Sequence, residues 1–155
     1  MPLLAMEDFV GLVRRRLAWA VDVLTTEQRS KCMAAIKGKN TRPELAVRSI
    51  LDSLRIRYQL HRPDLPGKPD TVLTRRKKVP FVHGCFWHVH RCRYGRVKPA
   101  KNWRFWRDKR ESNRARDMRN RRALRKAGWE ILIIWECWIK HPKKLLLLLN
   151  GFLKA

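Results

Sequence analysis

The apolar positions of this chain fall into a few short patterns separated by basic segments. Val47, Ile50, Leu51 and Leu54 recur at helical spacing and define one buried stripe. Just ahead, Thr41-Arg42-Pro43-Glu44 reads as a capping box, with Pro43 in the first turn, where a missing N–H costs nothing. An earlier cap at Thr25-Thr26-Glu27-Gln28 predicts a short helix through Ile36, broken at Lys37-Gly38-Lys39-Asn40. Arg57-Tyr58-Gln59-Leu60-His61 alternates like a strand. Three prolines constrain the loop Pro63-Asp64-Leu65-Pro66-Gly67-Lys68-Pro69. Asp70-Thr71-Val72-Leu73 then predicts a short strand, Thr74 to Lys77 a basic hairpin turn, and Val79 to Val82 the next strand. Pro80 cannot donate to a sheet ladder, so it calls for an edge position or a bulge. No breaker interrupts Trp103 to Ala127, which predicts a long helix ending at Gly128. Ile131-Leu132-Ile133-Ile134-Trp135 is continuously apolar, as in a strand covered on both faces, and Leu145 to Leu149 pack a closing helix. The order of elements gives an α/β domain.

Composition narrows the class. At 155 residues, with 45% hydrophobic and 32% charged side chains, the chain is a globular domain with a real core. A formal charge of +24 opposes compaction, and a polyanion relieves it. DNA or RNA is the first choice and an anionic membrane surface the second; the seven tryptophans favour nucleic acid, because bases stack on aromatic rings. Basic side chains from Arg104 to Lys126 with few acids among them make the long helix a phosphate-facing surface as well as a solvated one. No run approaches the length of a bilayer span. The segment Met1–Leu24 is partly apolar, but Asp8 and Arg14-Arg15-Arg16 interrupt it, unlike a signal peptide. We read residues 1–24 as an extension and 25–155 as a single domain of a cytoplasmic protein.

Chemistry concentrates between Phe81 and Cys92, where twelve residues hold three histidines, two cysteines and the pair Phe86-Trp87. Cys85, His90 and Cys92, with Cys137 from beyond the apolar strand, offer a closed tetrahedral zinc site of the structural kind. His83 and His88 compete for the same role, the alternative for Cys85 and Cys137 is ordinary burial, and Cys32 is read as a spare buried thiol. Asp70, just past a rigid turn, suits a hard cation such as magnesium, and histidine is the usual base for activating water at a phosphodiester. Each has a plainer reading: Glu44 closes its capping box, Asp70 caps a turn, and His83 and His61 are hydrogen-bonded core residues. Phe86 and Trp87 cannot both bury in a strand, so wedges between base steps account for them; Trp106 is as readily a core residue.

Taken together, Leu65-Pro66-Gly67-Lys68-Pro69-Asp70, the stretch from Phe81 to His88, Phe105-Trp106, Gly128-Trp129 and Trp135-Glu136-Cys137 resemble the very short patch repair endonucleases of bacteria. Arg29-Ser30-Lys31-Cys32-Met33 resembles that family's opening motif, with Cys32 where asparagine is more usual, and the likeness runs from about Thr26 to Ile139. The resemblance implies a restriction-endonuclease-like fold, a central mixed sheet flanked by helices, with a structural zinc. It implies magnesium-dependent nicking of double-stranded DNA on the 5′ side of the thymine in a T:G mismatch, the product of 5-methylcytosine deamination. By position, Asp70 and the backbone carbonyl of Val82 would bind magnesium, His88 would be the general base, Glu44 would order water and His83 would assist at the phosphate. Phe86, Trp87 and Trp106 would wedge beside the mismatch, and Cys85, His90, Cys92 and Cys137 would hold zinc; Asp117 matches a further acidic position and receives no role. The implied partners are mismatched DNA and mismatch-repair proteins, for a monomer that makes no membrane contact. A non-catalytic zinc protein that binds DNA through the basic helix is the alternative; an RNA-binding protein would leave the wedge and the acids idle.

Overall fold

A computed structural model describes residues 38–154, together with Thr25, Glu27 and Lys31. Of the helix expected over 25–36, Glu27 and Lys31 are helical. The Met1–Leu24 extension, Cys32 and the rest of the 29–33 motif lie outside the described residues. The described residues from Gly38 onward belong to one compact unit. Among the described residues no helix is long and apolar enough to cross a membrane.

The unit is a mixed α/β arrangement with small sheets. Helix α1 spans Arg42–Ser53 and starts at the predicted capping box. Thr41 donates its N–H to Glu44 Oε2 at 3.3 Å and its hydroxyl to Oε1 at 2.8 Å, so the carboxylate replaces helical partners that the first turn lacks. Strands β1 (Gln59–Leu60) and β2 (Thr71–Val72) pair antiparallel, Leu60 opposite Thr71. The strand expected over 57–61 thus shortens to two residues, and the basic turn is a 3₁₀ turn over Thr74–Arg76 closed by Lys77 in the left-handed region. Strand β3 (Lys78–His83) runs parallel to β4 (Glu130–Trp135) with Lys78 opposite Glu130 and His83 opposite Trp135.

The expected single central sheet is instead two two-stranded ladders, joined by one antiparallel bridge between Leu73 and Lys78. Pro80 supplies the reason. Lys78 exchanges both backbone bonds with Leu73, so by alternation Pro80 and Val82 direct their main-chain groups to that same edge, away from β4. Continuing the register would set Thr71 opposite Pro80, which has no N–H to give, and the ladder stops. Pro80 therefore occupies the edge its chemistry requires.

The long helix α2 spans Trp103–Lys126 and ends as predicted. Gly128 N–H donates to Arg125 O and Trp129 N–H to Leu124 O, both at 3.0 Å, the paired bonds of a Schellman motif. Helix α3 (Pro142–Lys154) buries Leu145, Leu149 and Leu153, one residue per turn, against Val47 and Leu51 of α1 and Ile134 of β4. Its last carbonyls are capped by cations: Lys78 Nζ reaches Phe152 O at 2.8 Å and Arg76 Nη1 reaches Leu153 O at 3.0 Å. Strand β4 is less enclosed than its sequence suggests. Only Ile134 is fully buried, with Leu132 half-buried beside the α1–α3 core, while Ile131, Ile133 and Trp135 alternate to the other face and are half-buried there.

The proline-rich loop packs on α2 through Gly67. That residue has φ +83°, and a Cβ there would lie 3.0 Å from Asn120 Nδ2. Replacing Gly67 by alanine is expected to lower unfolding stability by about 1–2 kcal/mol, the scale of an L-residue forced left-handed. Urea denaturation measures it; an unchanged midpoint would show that the loop shifts freely.

Candidate active site and metal centre

Both clusters of candidate residues follow from where β3 and β4 end. After His83 the chain leaves the sheet through Gly84 and makes a turn from Cys85 to Val89, closed by His88 N–H to Gly84 O at 3.2 Å and His90 N–H to Cys85 O at 3.0 Å. After Trp135 a 3₁₀ turn, Glu136–Lys140, carries Cys137. Glu136 joins the two strand ends, since its Oε2 accepts the Cys85 N–H at 3.2 Å.

The donor atoms of Cys85, His90, Cys92 and Cys137 lie within 4.8 Å of one another. His90 Nδ1 is 3.6 Å from Cys85 Sγ and 3.5 Å from Cys137 Sγ. Zinc held at about 2.3 Å from sulfur and about 2.0 Å from nitrogen, at tetrahedral angles, sets those atoms about 3.5 Å apart, so the set fits a closed zinc site. The thiols differ in environment. Burial pushes Cys85 and Cys137 upward, which a cation would reverse; burial pushes Cys92 the same way, but the Gly95 N–H leads a set of donors that bring it below its ordinary value. His90 stacks on Trp135, with ring centroids 4.2 Å apart and planes 16° apart. The loop after Cys92 folds so tightly that a Cβ on Gly95 would lie 2.0 Å from His90 O, which excludes any side chain there.

The second cluster is His83, His88 and Asp117. The two imidazoles stack at 3.9 Å and 15°, and His88 Nδ1 is hydrogen-bonded to Asp117 Oδ2. With Asp117 holding Nδ1, His88 is left with Nε2 free to take up a proton. Burial, helped by the His88 charge, lowers His83 to about 4, so its ring is neutral at physiological pH. Burial raises Asp117, but the hydrogen bond and charge of His88 outweigh it and keep the carboxyl below its ordinary value. Asp117 is the residue that sequence reading left without a task. Its signal was slight, an acid on a basic helix, because its partner lies 29 residues away.

Glu44 and Asp70 form a separate group. Glu44 is buried within its capping box, and Arg48 Nη2 stands 3.7 Å from its Oε2. Arg48 is itself buried, donates Nη1 to Asn40 Oδ1 at 2.7 Å, and leaves Nε and Nη2 without hydrogen-bond partners. Asp70 is half-buried, and desolvation together with the Glu44 charge raises it, opposed by His61 and Arg48. His61, expected in the core, is instead partly exposed, with Nδ1 3.3 Å from Asp70 Oδ1. Among the described residues no hydrogen bond or ion pair joins this group to the histidine pair. By the same alternation the Val82 carbonyl faces the Pro80 edge of β3, and carboxylate and carbonyl oxygens are the donors that suit magnesium.

Of the expected wedge residues, Phe86 and Trp87 sit on the turn, not on a strand, and Trp106 sits on α2. Phe86 and Trp87 are half-buried and meet edge to face at 5.2 Å, and Trp106 lies 5.8 Å from each. Trp103 and Phe105, in the first turn of α2, are more exposed than any of these three.

A family model described as DNA mismatch endonuclease Vsr matches residues 21–94. A type II nicking enzyme, V.XorIIP of Xanthomonas oryzae, is 50% identical over 116 residues, covering 75% of this chain and 85% of the relative. V.NmeAIP of Neisseria meningitidis, also named a type II nicking enzyme, is 41% identical over 77% of this chain and 85% of its own length. The DNA mismatch endonuclease Vsr of Escherichia coli is 39% identical over 80% of this chain and 79% of its own. Identity at this level across most of both chains places this chain in the Vsr family of DNA endonucleases.

Proposed function

We propose that the protein nicks double-stranded DNA on the 5′ side of the thymine in a T:G mismatch, with catalytic magnesium and a structural zinc, in the bacterial cytoplasm at the nucleoid. The observation that carries this reading is the alignment of His88 with Asp117 beside the Phe86-Trp87-Trp106 cluster, which sets a proton acceptor next to rings able to enter a base stack. His88 Nε2 takes the proton of the attacking water, and Asp117 fixes the tautomer and balances the imidazolium that forms. His83, neutral and stacked on His88, serves the phosphate as a hydrogen-bonding group without adding a charge that would weaken the base. Asp70 and the Val82 carbonyl would hold magnesium, whose chemistry is to stabilise charge on the scissile phosphate. Glu44 stands beside Asp70 to order water, and Arg48 offsets part of the paired carboxylate charge. Cys85, His90, Cys92 and Cys137 would hold zinc, and so bound would pin the turn that carries His88 to the end of β4. Mismatch-repair proteins are the further partners of this reading, and the protein acts as a monomer.

The direct test is cleavage of a labelled duplex with one T:G mismatch in a methylated-cytosine site. Cutting should need magnesium, spare the T:A duplex, and disappear in Asp70→Ala and His88→Ala. Tight binding with no cut by a folded, zinc-loaded protein would leave a DNA-binding relative without catalysis. Asp117→Asn presents the wrong hydrogen-bonding group to His88 and is expected to slow cutting by about 10²- to 10⁴-fold with little change in DNA affinity. Single-turnover rates measure this, and wild-type rates would remove Asp117 from the chemistry.

Metal analysis should find one zinc per chain, lost in His90→Ala and Cys92→Ser along with several degrees of melting temperature; a zinc-free wild type that melts at the same temperature would refute the structural zinc. The sign of the His83 effect also follows. Its folded value near 4 lies below the ordinary 6.5, so the unfolded chain takes up the proton first. The stability this neutral ring contributes is complete above pH 6.5 and lost as pH falls toward 4. The difference in melting temperature between wild type and His83→Asn should shrink over that window, and a constant difference would place the titration elsewhere.

A further inference from the structure

Trp106, Arg110, Asn113 and Asp117 stand four, three and four residues apart, so they form one stripe along α2. Their partners follow in the same order along the turn. Trp106 meets the Phe86 and Trp87 rings, Arg110 lies over Phe86 at 4.8 Å, Asn113 Nδ2 donates to Trp87 O at 3.3 Å, and Asp117 accepts from His88. Asp117 serves the base and Trp106 belongs to the wedge, which leaves Arg110 unexplained. It is a half-buried cation whose Nε is buried without a hydrogen-bond partner. Its Nη1 donates to Val97 O at 3.1 Å and its Nη2 to Gly95 O, both in the tight loop after Cys92. Anchoring a loop needs only a donor. Anchoring a loop while a planar cation covers an aromatic face needs an arginine.

We propose that Arg110 is a positioning residue for mismatch recognition: tied to the Gly95 and Val97 carbonyls, its guanidinium clamps Phe86 against Trp87 and Trp106, so that the ring meets the base stack already oriented. The inference rests on the mismatch-nicking function proposed above. Its physical basis is preorganisation. A ring free to turn must lose that freedom when it inserts, and a ring already fixed does not. Both anchoring carbonyls lie in the loop whose fold excludes a side chain at Gly95, so the clamp is built on fixed ground. A merely structural arginine would hold the loop and with it the metal centre, and would leave base unstacking untouched.

Arg110→Lys separates the two roles, since lysine keeps the charge and a donor for the carbonyls but not the plane over Phe86. The readouts are zinc content, melting temperature, the ratio of kcat/KM on T:G over T:A duplex, and the fluorescence rise of 2-aminopurine placed beside the mismatch. We expect R110K to keep its zinc and its melting temperature, to lose most of the fluorescence rise, and to discriminate about tenfold less well, the scale of a partly desolvated cation–π contact. Arg110→Met, which also lacks the donors, should do the same and loosen the loop. Wild-type discrimination and wild-type unstacking in zinc-loaded R110K would overturn the inference alone, and lost zinc with unchanged discrimination would overturn it in favour of the structural role. A wild-type protein that shows no preference for T:G would overturn the functional reading and this inference with it.

Discussion

The parallel register of β3 on β4 is the constraint on which the rest of the site depends. With His83 opposite Trp135, the next two residues on each strand bring Cys85 and Cys137 to the same level. Parallel strands end on the same side, so the side chains that follow each strand converge at one end of the sheet, and loops at that end are where such sheets carry their chemistry. A slip of one residue would turn every side chain of one strand to the other face and separate the two cysteines. Lys78 fixes the far end of this register through Glu130, 2.7 Å away, while also capping the C-terminus of α3. One buried lysine thus ties the pairing of the strands to the packing of the closing helix.

Helix α2 adds the second coordinate. A strand end can place the turn in space, but a turn is held in shape only by what packs against it. A continuous helix offers side chains at a fixed rise, and the stripe from Trp106 to Asp117 meets the turn in sequence from Phe86 to His88. Asn120, three residues beyond Asp117, lies against Gly67 in the proline-rich loop that leads to Asp70. The same helix therefore braces the aromatic cluster, the candidate base and the loop before the candidate metal ligand. Its opposite side presents exposed arginines such as Arg104, Arg119 and Arg122 to solvent, which suits a surface that meets phosphate.

What could be read from the sequence was local. The capping box at Thr41 and Glu44, the stop at Gly128 and the leucine repeat of α3 each depend on neighbours within a turn or two, and all three appear where the pattern put them. The gathering of Cys85, His90, Cys92 and Cys137 was also legible, because three of the four lie close in sequence and the fourth follows just beyond the apolar strand. Pairings across long stretches of chain were not. Nothing near Asp117 announces His88, and nothing near His61 announces Asp70, since each meeting is made by the packing of separate elements. The apolar run of β4 misled in the other direction, because continuous hydrophobicity reports that both faces are covered but not how completely.

Charge gives the last step. The chain as a whole carries +24, yet Asp70 lies close enough to Glu44 to feel its charge, with Arg48 as the buried counterweight. A divalent cation approaching the free protein is drawn by the pair and repelled by the surface. A phosphate backbone along the basic face removes that repulsion and brings anionic oxygens of the kind a hard cation prefers. On the proposed reading, DNA would thus complete the magnesium site electrostatically. A protein this basic would then keep its proposed cutting centre weakly loaded until a duplex lies against it.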